Sequence, residues 1–404
     1  MSSNFKGGVI SATPPTITAP TDGEGGSTSG IWDIDNVFQE EGGSTWPKVT
    51  RQGGLFAWGY NSSQGGVLGQ SDSTNRSSPI QVGALTTWLK AAMGYECAIT
   101  TKSDGTLWTW GRNAEGQLGH GGTTAVSSPV QVGSLTNWLQ IAAGRYHFLS
   151  VKTDGTLWAV GNNSVGQLGD GSTTNRSSPV QIGSLTNWLS VSCGYDHSAA
   201  IKTDGTLWAW GEGASGRIGD GGTTDRSSPV QIGSLTTWSK VACGCTHTTA
   251  IKTDGTLWAW GHNGDGAFGD GSTTNRSSPV QIGALTTWAE SAGGNKGTVM
   301  LKTDGTIWTV GYGEEGQLGN GGTSNESSPV QVGSSTDWSD IVRGNSMSFG
   351  MRGDALFAWG RNNHQGQLGD GTLTNRSSPV QIGSDAWIKL PEQLTSSWQG
   401  MAIK

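Results

Sequence analysis

Asp154-Gly155-Thr156-Leu157-Trp158-Ala159-Val160-Gly161 begins a phrase that continues through Gly166-Gln167-Leu168-Gly169 and Ser178-Pro179-Val180-Gln181-Ile182-Gly183 to Trp188. The chain repeats this phrase. Its Ser-Ser-Pro step closes at Pro79, Pro129, Pro179, Pro229, Pro279, Pro329 and Pro379, a period of 50 residues. A period of that length marks stacked or radial repeat units, none of which buries a core alone. Asp154-Gly155 favours the positive φ of a tight hairpin. Ser198-Ala199-Ala200-Ile201-Lys202 runs into the next such turn, so strands flank it on both sides. Pro179–Ile182 and Trp188–Val191 read as two further strands, the proline standing where no ladder donor is needed. About four short strands per repeat fit a propeller blade. The density of Gly, Ser and Thr and the lack of a 3.6-residue apolar period exclude a helical repeat. The expected fold is all-β: a seven-bladed propeller of four-stranded blades.

The two ends of the repeat region complement each other. Met401-Ala402-Ile403-Lys404 matches Ala199–Lys202 but stops where the hairpin should follow. The missing partner strand stands at Gly53–Gly59. The last strand is therefore expected to pair beside the first, which removes two exposed sheet edges. Trp88, Trp138, Trp188, Trp238, Trp288, Trp338 and Trp387 recur in one register and suit packing between blades. Each such side chain can bury about 150–250 Å².

Composition narrows the function classes. The chain has 404 residues, 67 of them glycine, with 14% charged residues and a net charge of −7. That balance argues against a nucleic-acid partner, which would want a basic face. No apolar run is long enough for a membrane span, so membrane insertion is not expected. Met1–Lys6 lacks the apolar stretch of a secretory signal. Cys97, Cys193, Cys243 and Cys245 form no disulfide framework in so long a chain. Cys193 and Cys243 share a register with Met93 and Ala143, which fits small buried groups in a reducing compartment.

No nucleophile elbow, phosphate loop or zinc-finger spacing is present, so no catalytic residue, metal or cofactor is expected. His147, His197 and His247 share one register with Cys97. Zinc would need four such ligands to converge. On separate blades they read instead as buried, hydrogen-bonded side chains. Asp104, Asp154, Asp204, Asp254 and Asp304 sit in Asp-Gly turns. Asp170, Asp220, Asp270 and Asp370 precede glycine in a longer loop, where calcium would need several more converging oxygens.

The copies differ in two short stretches, one after the Trp/Val-Gly step and one after the later glycine. Binding residues tend to sit on loops held by a rigid scaffold. The candidate interaction face is therefore Arg112, Glu115, Arg145, Tyr146, Tyr195, Asp196, Glu212, His262, Asp265, Lys296, Tyr312, Arg361 and His364.

The run Trp110–Gly119, echoed one residue longer at Trp359–Gly369, reads Trp-Gly-x-Asn-x-x-Gly-Gln-Leu-Gly. With Cys193-Gly194-Tyr195-Asp196-His197 it resembles the regulator of chromosome condensation repeat family over about residues 50–404. The resemblance implies a seven-bladed β-propeller. The family's founding member is a nucleotide-exchange factor for a small nuclear GTPase and docks on chromatin, using an inserted wedge and basic segments. This chain carries neither a long insertion nor a basic tail.

Residues 1–48 lie outside the repeat, and residues 49–404 form the expected propeller. Gly7–Gly30 reads as an extended linker. Ile31, Trp32, Ile34, Phe38 and Trp46 are too bulky for a plain linker and mark an attachment arm. Ser-Gly-Ile-Trp … Trp-Pro looks like a short segment of structural proteins of marine tailed bacteriophages. The expectation is a non-enzymatic virion structural or appendage protein, folded in the host cytoplasm. Its arm would bind other virion proteins, and its loops would face a host-surface receptor. The alternative is an intracellular protein-interaction propeller, including a GTPase regulator.

Overall fold

The computed structural model describes residues 52–61, 65–363, 365–394 and 397–404. The arm residues Ile31, Trp32, Ile34, Phe38 and Trp46, and His364, lie outside the described residues. The described residues form seven sheets, six of four strands and one of three. The ring is a seven-bladed propeller, as the period predicts.

One blade shows how the phrase folds. Trp188–Cys193, His197–Lys202, Leu207–Gly211 and Arg226–Gln231 pair in that order, each antiparallel to the next. The inner and outer strands are longer than the sequence suggests. Arg226-Ser227-Ser228 enters the ladder before its proline, through an irregularity between Ala209 and Gly211.

The hairpin between the two middle strands is fixed by side chains. Asp204 Oδ1 accepts from Thr206 N at 3.0 Å and from its hydroxyl at 2.6 Å. Trp208 Nε1 then donates to Thr206 Oγ1 at 2.9 Å, and Lys202 Nζ lies 3.7 Å from the Trp208 ring centroid. Gly205 needs φ 75°, and a Cβ there would collide with the Thr236 carbonyl of the next blade. Gly205 O in turn accepts from Trp238 N at 3.1 Å. The Asp-Gly turn therefore also joins neighbouring blades.

The recurrent tryptophans fill the space between sheets. Trp188 is 4% exposed and meets Trp208 and Trp210 edge-on at 6.1 and 6.2 Å. Trp210 Nε1 donates to Gln167 O of the preceding blade at 2.9 Å. Glycine at 169 is required because a Cβ there would press within 2.8 Å of that indole.

The ring closes as expected. Gln399–Ile403 pairs antiparallel with Leu55–Gly59, from Leu55 opposite Ile403 to Gly59 opposite Gln399. Arg76–Gln81 completes this three-stranded sheet. Its innermost place is only an isolated bridge, Lys389 to Ile403. The fourth strand of the closing blade is thus reduced, for a physical reason. Pro391 supplies no ladder donor, and the chain after it leaves the blade. Glu392 N donates to Ala91 O at 2.7 Å and Met93 N to Gln393 O at 2.9 Å, on the neighbouring inner strand.

Candidate interaction face

Strand direction sorts the loops. In every regular blade the turn after the inner strand and the long loop after the third strand leave from the same end of the sheet. The Asp-Gly hairpins and the links to the next blade leave from the other end. The described residues of the candidate face therefore all lie at one end of the ring, the loop face.

There they form two groups. In the first, the Arg145 guanidinium lies 5.7, 5.0 and 5.5 Å from the rings of Tyr95, Tyr146 and Tyr195. Tyr95 and Tyr146 meet edge-on at 5.8 Å. Arg112 covers Tyr146 at 4.9 Å, with its Nη1 3.7 Å from Glu96 Oε2. Burial raises the Tyr195 phenol, which accepts from Asn345 Nδ2 at 3.4 Å. Burial also pushes the Asp196 carboxyl up, against the pull of Arg145 and Arg217. Glu212 pairs with Arg217 at 2.5 Å.

The second group spans the later blades. Lys296 Nζ lies 3.7 Å from Asp265 and 4.8 Å from the Tyr312 ring. Tyr312 donates to Glu314 at 2.6 Å, and that bond raises its phenol to about 12. Arg361 lies 3.4 Å from Glu315 and 4.7 Å from the Trp398 ring. Between these groups and Arg343 opens a concavity of about 210 Å³. Glu115 stands apart, accepting from Asn175 Nδ2 at 2.8 Å, and His262 begins its own loop.

Residues of other suspected roles turn out to serve the scaffold. The Nε2 atoms of His147, His197 and His247 each lie 3.0 Å from the hydroxyl of Ser198, Thr248 or Thr298 on the next blade. Burial drives the His147 and His247 imidazoles down to about 3. Among the described residues no cluster of His, Cys, Asp or Glu has a metal-binding arrangement. Asp170 and Asp370 bind Arg176 and Arg376 through one oxygen and brace their own loops with the other. Asn113 and Asn163, within the variable stretch, are buried and bridge their loops by side-chain hydrogen bonds.

The structure adds residues that the sequence did not single out. Gln393 plugs the central channel, lined by the inner strands. Its Oε1 accepts from Ala143 N at 3.3 Å and Cys193 N at 3.2 Å. Its Nε2 donates to Cys193 O and to Cys243 O. Beside it, burial and the Glu290 charge raise the Asp340 carboxyl to about 8. On the opposite face, Leu85, Leu135, Leu185, Leu235 and Leu285 are each 46–48% exposed, one per blade. Their register, always two residues after the Gln-x-Gly step, is visible in the sequence.

Comparison with known proteins follows the same lines. The model of the RCC1-like domain matches residues 40–295, and the regulator of chromosome condensation (RCC1) repeat matches 304–351 and 354–389. The chain belongs to the RCC1-like family. Human WBSCR16 is similar in fold at 24% identity, with a TM-score of 0.76 over 87% of this chain and 98% of that one. Prp20p from Saccharomyces cerevisiae, described with its binding properties to Gsp1p and histones, is similar at 17% identity. Its TM-score is 0.77, over 88% of this chain and 91% of that one. Yeast RCC1 (Prp20) with bound Kap60 gives 16% identity and a TM-score of 0.77. It covers 97% of both chains. A comparison with curated protein sequences gives no match.

Proposed function

We propose that this RCC1-like propeller is a non-catalytic protein-binding module that engages its partner through the loop face. One observation carries the reading: the copy-to-copy differences gather at one end of the ring as a preorganised Arg–Tyr surface around Arg145. Arginine and aromatic side chains held in place are the residue types that dominate protein–protein hot spots. Prp20p, with its Gsp1p and histone binding, supports a protein partner of the intracellular kind. These relatives give no support to the virion appendage that residues 1–48 suggested.

The test is affinity capture with the full chain and with a variant carrying Arg145→Glu, Lys296→Glu and Arg361→Glu. Partners held by the wild type should be lost from the triple variant while its melting profile stays cooperative. Equal capture by both proteins would remove the loop face from the binding site.

A further inference from the structure

The Trp288 blade departs from its neighbours at one buried place. Beside Gly94, Gly144, Gly194, Gly244 and Gly344, the space is filled by a side chain three residues further along. Those side chains are Cys97, the imidazoles of His147, His197 and His247, and Met347. At Gly294 the residue in that register is Gly297, which has no side chain. Arg343 fills the gap from the end of the following inner strand. A Cβ on Gly294 would lie 2.7 Å from its Nε, and one on Gly297 2.8 Å from its Nη2. The other copies place only Met93, Ala143, Cys193, Cys243 and Gly293 in the register of Arg343.

Volume alone does not call for arginine, since Met347 fills the same slot one blade on. The Arg343 side chain is 1% exposed, and its Nε and Nη1 meet no acceptor among the described residues. Burying a charge without a partner is strongly unfavourable. Burial lowers its pKa to about 10, so it remains cationic at neutral pH. Arg343 lines the loop-face concavity of about 210 Å³ together with Lys296, Arg361, Asn295, Asn345 and a single carboxylate, Glu315. Lys296 and Arg361 have acidic neighbours at 3.7 and 3.4 Å. In a chain of net charge −7, three cations face one acid here.

We propose that this concavity is an oxyanion-binding site with the Arg343 guanidinium as its floor. It takes one carboxylate or phosphate group, borne by a small acid or presented by the bound partner. The guanidinium fork matches either group in bidentate geometry. Asn295, Asn345 and Ser346 offer neutral polar groups, and the Tyr312 and Trp398 rings form flat walls. The volume falls below the roughly 300–1,000 Å³ of whole-ligand pockets, which suits a single acidic group. This deepens the loop-face reading by naming the chemistry of the partner.

Titration calorimetry of the full chain with inorganic phosphate and, separately, with succinate tests the site without any protein partner. A failure here therefore differs from a failure of the capture experiment. At least one anion should bind with one-to-one stoichiometry, and its identity separates phosphate from carboxylate recognition. Arg343→Met, which mimics the Met347 solution, should weaken binding at least tenfold. Lys296→Gln and Arg361→Gln, at the rim, should each weaken it two- to fivefold. The proposal is overturned if neither anion binds, or if Arg343→Met binds as the wild type does. Should Arg343→Met not fold, undiminished affinity in both rim variants overturns it instead.

Discussion

The two ends of the ring obey opposite rules. At the hairpin end, five blades repeat one arrangement of Asp, Thr, Trp and Lys, with Lys–ring distances of 3.4–3.9 Å throughout. At the loop end the braces recur, as in the Asp170–Arg176 and Asp370–Arg376 pairs, but the outward-facing residues differ from blade to blade and meet different partners. Both ends are well packed, so packing does not separate them. The difference lies in what each end must satisfy. The hairpin end must meet the next blade in the same way every time, whereas the outward-facing residues of the loop end need only stay ordered. Stability should therefore respond to hairpin-end changes and recognition to loop-end changes.

Removal of residues 398–404 should have the largest effect, because that strand crosses from one end to the other and holds the ring shut. Loss of a single cooperative melt is expected, and an unchanged melting temperature would refute closure by this strand. Next comes Trp188→Ala, near the hairpin end, which should cost about 3–5 kcal/mol in denaturant unfolding. If the same change at Trp238 cost far less, the sameness of the blades would be only geometric.

The buried imidazoles give the loop end one stability signature of its own. Burial holds His147 and His247 at about 3, below the ordinary value of about 6.5 in the unfolded chain. The fold thus favours the neutral ring, and this stabilisation is complete above pH 6.5 and lost as pH falls toward 3. By pH 5 it amounts to about 2 kcal/mol lost per histidine. Melting curves at pH 7.5 and 5 should show it. A His147→Met, His247→Met double variant should flatten the slope, and an unchanged slope would contradict the burial argument.

Smaller effects decide the functional half of the comparison. Arg145→Glu should weaken partner binding at least tenfold, about 1.4 kcal/mol. Its cost in stability should stay near 1 kcal/mol, the scale of the cation–π contacts it loses. Leu185→Asp, on an exposed hairpin-end leucine, should change stability by no more than about 0.5 kcal/mol and leave binding intact. Should Leu185→Asp abolish capture while Arg145→Glu does not, the two ends exchange roles.

The architecture was legible because it rests on repetition. The spacing of Pro79 to Pro379, the Asp-Gly turns and the match of Met401–Lys404 to Ala199–Lys202 report local geometry that recurs. What escaped was set by single exceptions interacting across blades. Arg343 matters because Gly297, 46 residues earlier, leaves a hole beside Gly294, and neither residue reveals that alone. Gln393 lies where Pro391 turns the chain out of register, so comparison of copies gave it no counterpart. The loop-face residues were found as variable positions, whereas Asn113 and Asn163 hold the recurrent Asn of the Trp/Val-Gly-x-Asn step, whose role as a buried brace only the loop geometry reveals. The leucine series was readable by register and was hidden by its regularity, which looked structural.

Closure by the last strand also sets a timetable. Leu55–Gly59 leaves the ribosome well before the strand that covers its inner edge, Gln399–Ile403, which lies far downstream in the sequence. Until then the first sheet has an open edge, available to any extended segment nearby. Contacts so distant in sequence are slow to form, and incomplete rings expose surfaces prone to aggregation. The final pairing is therefore expected to be the late kinetic step of folding. A short peptide copying Gln399–Ile403 would act as a competitor only during synthesis or refolding, and not once the ring is complete.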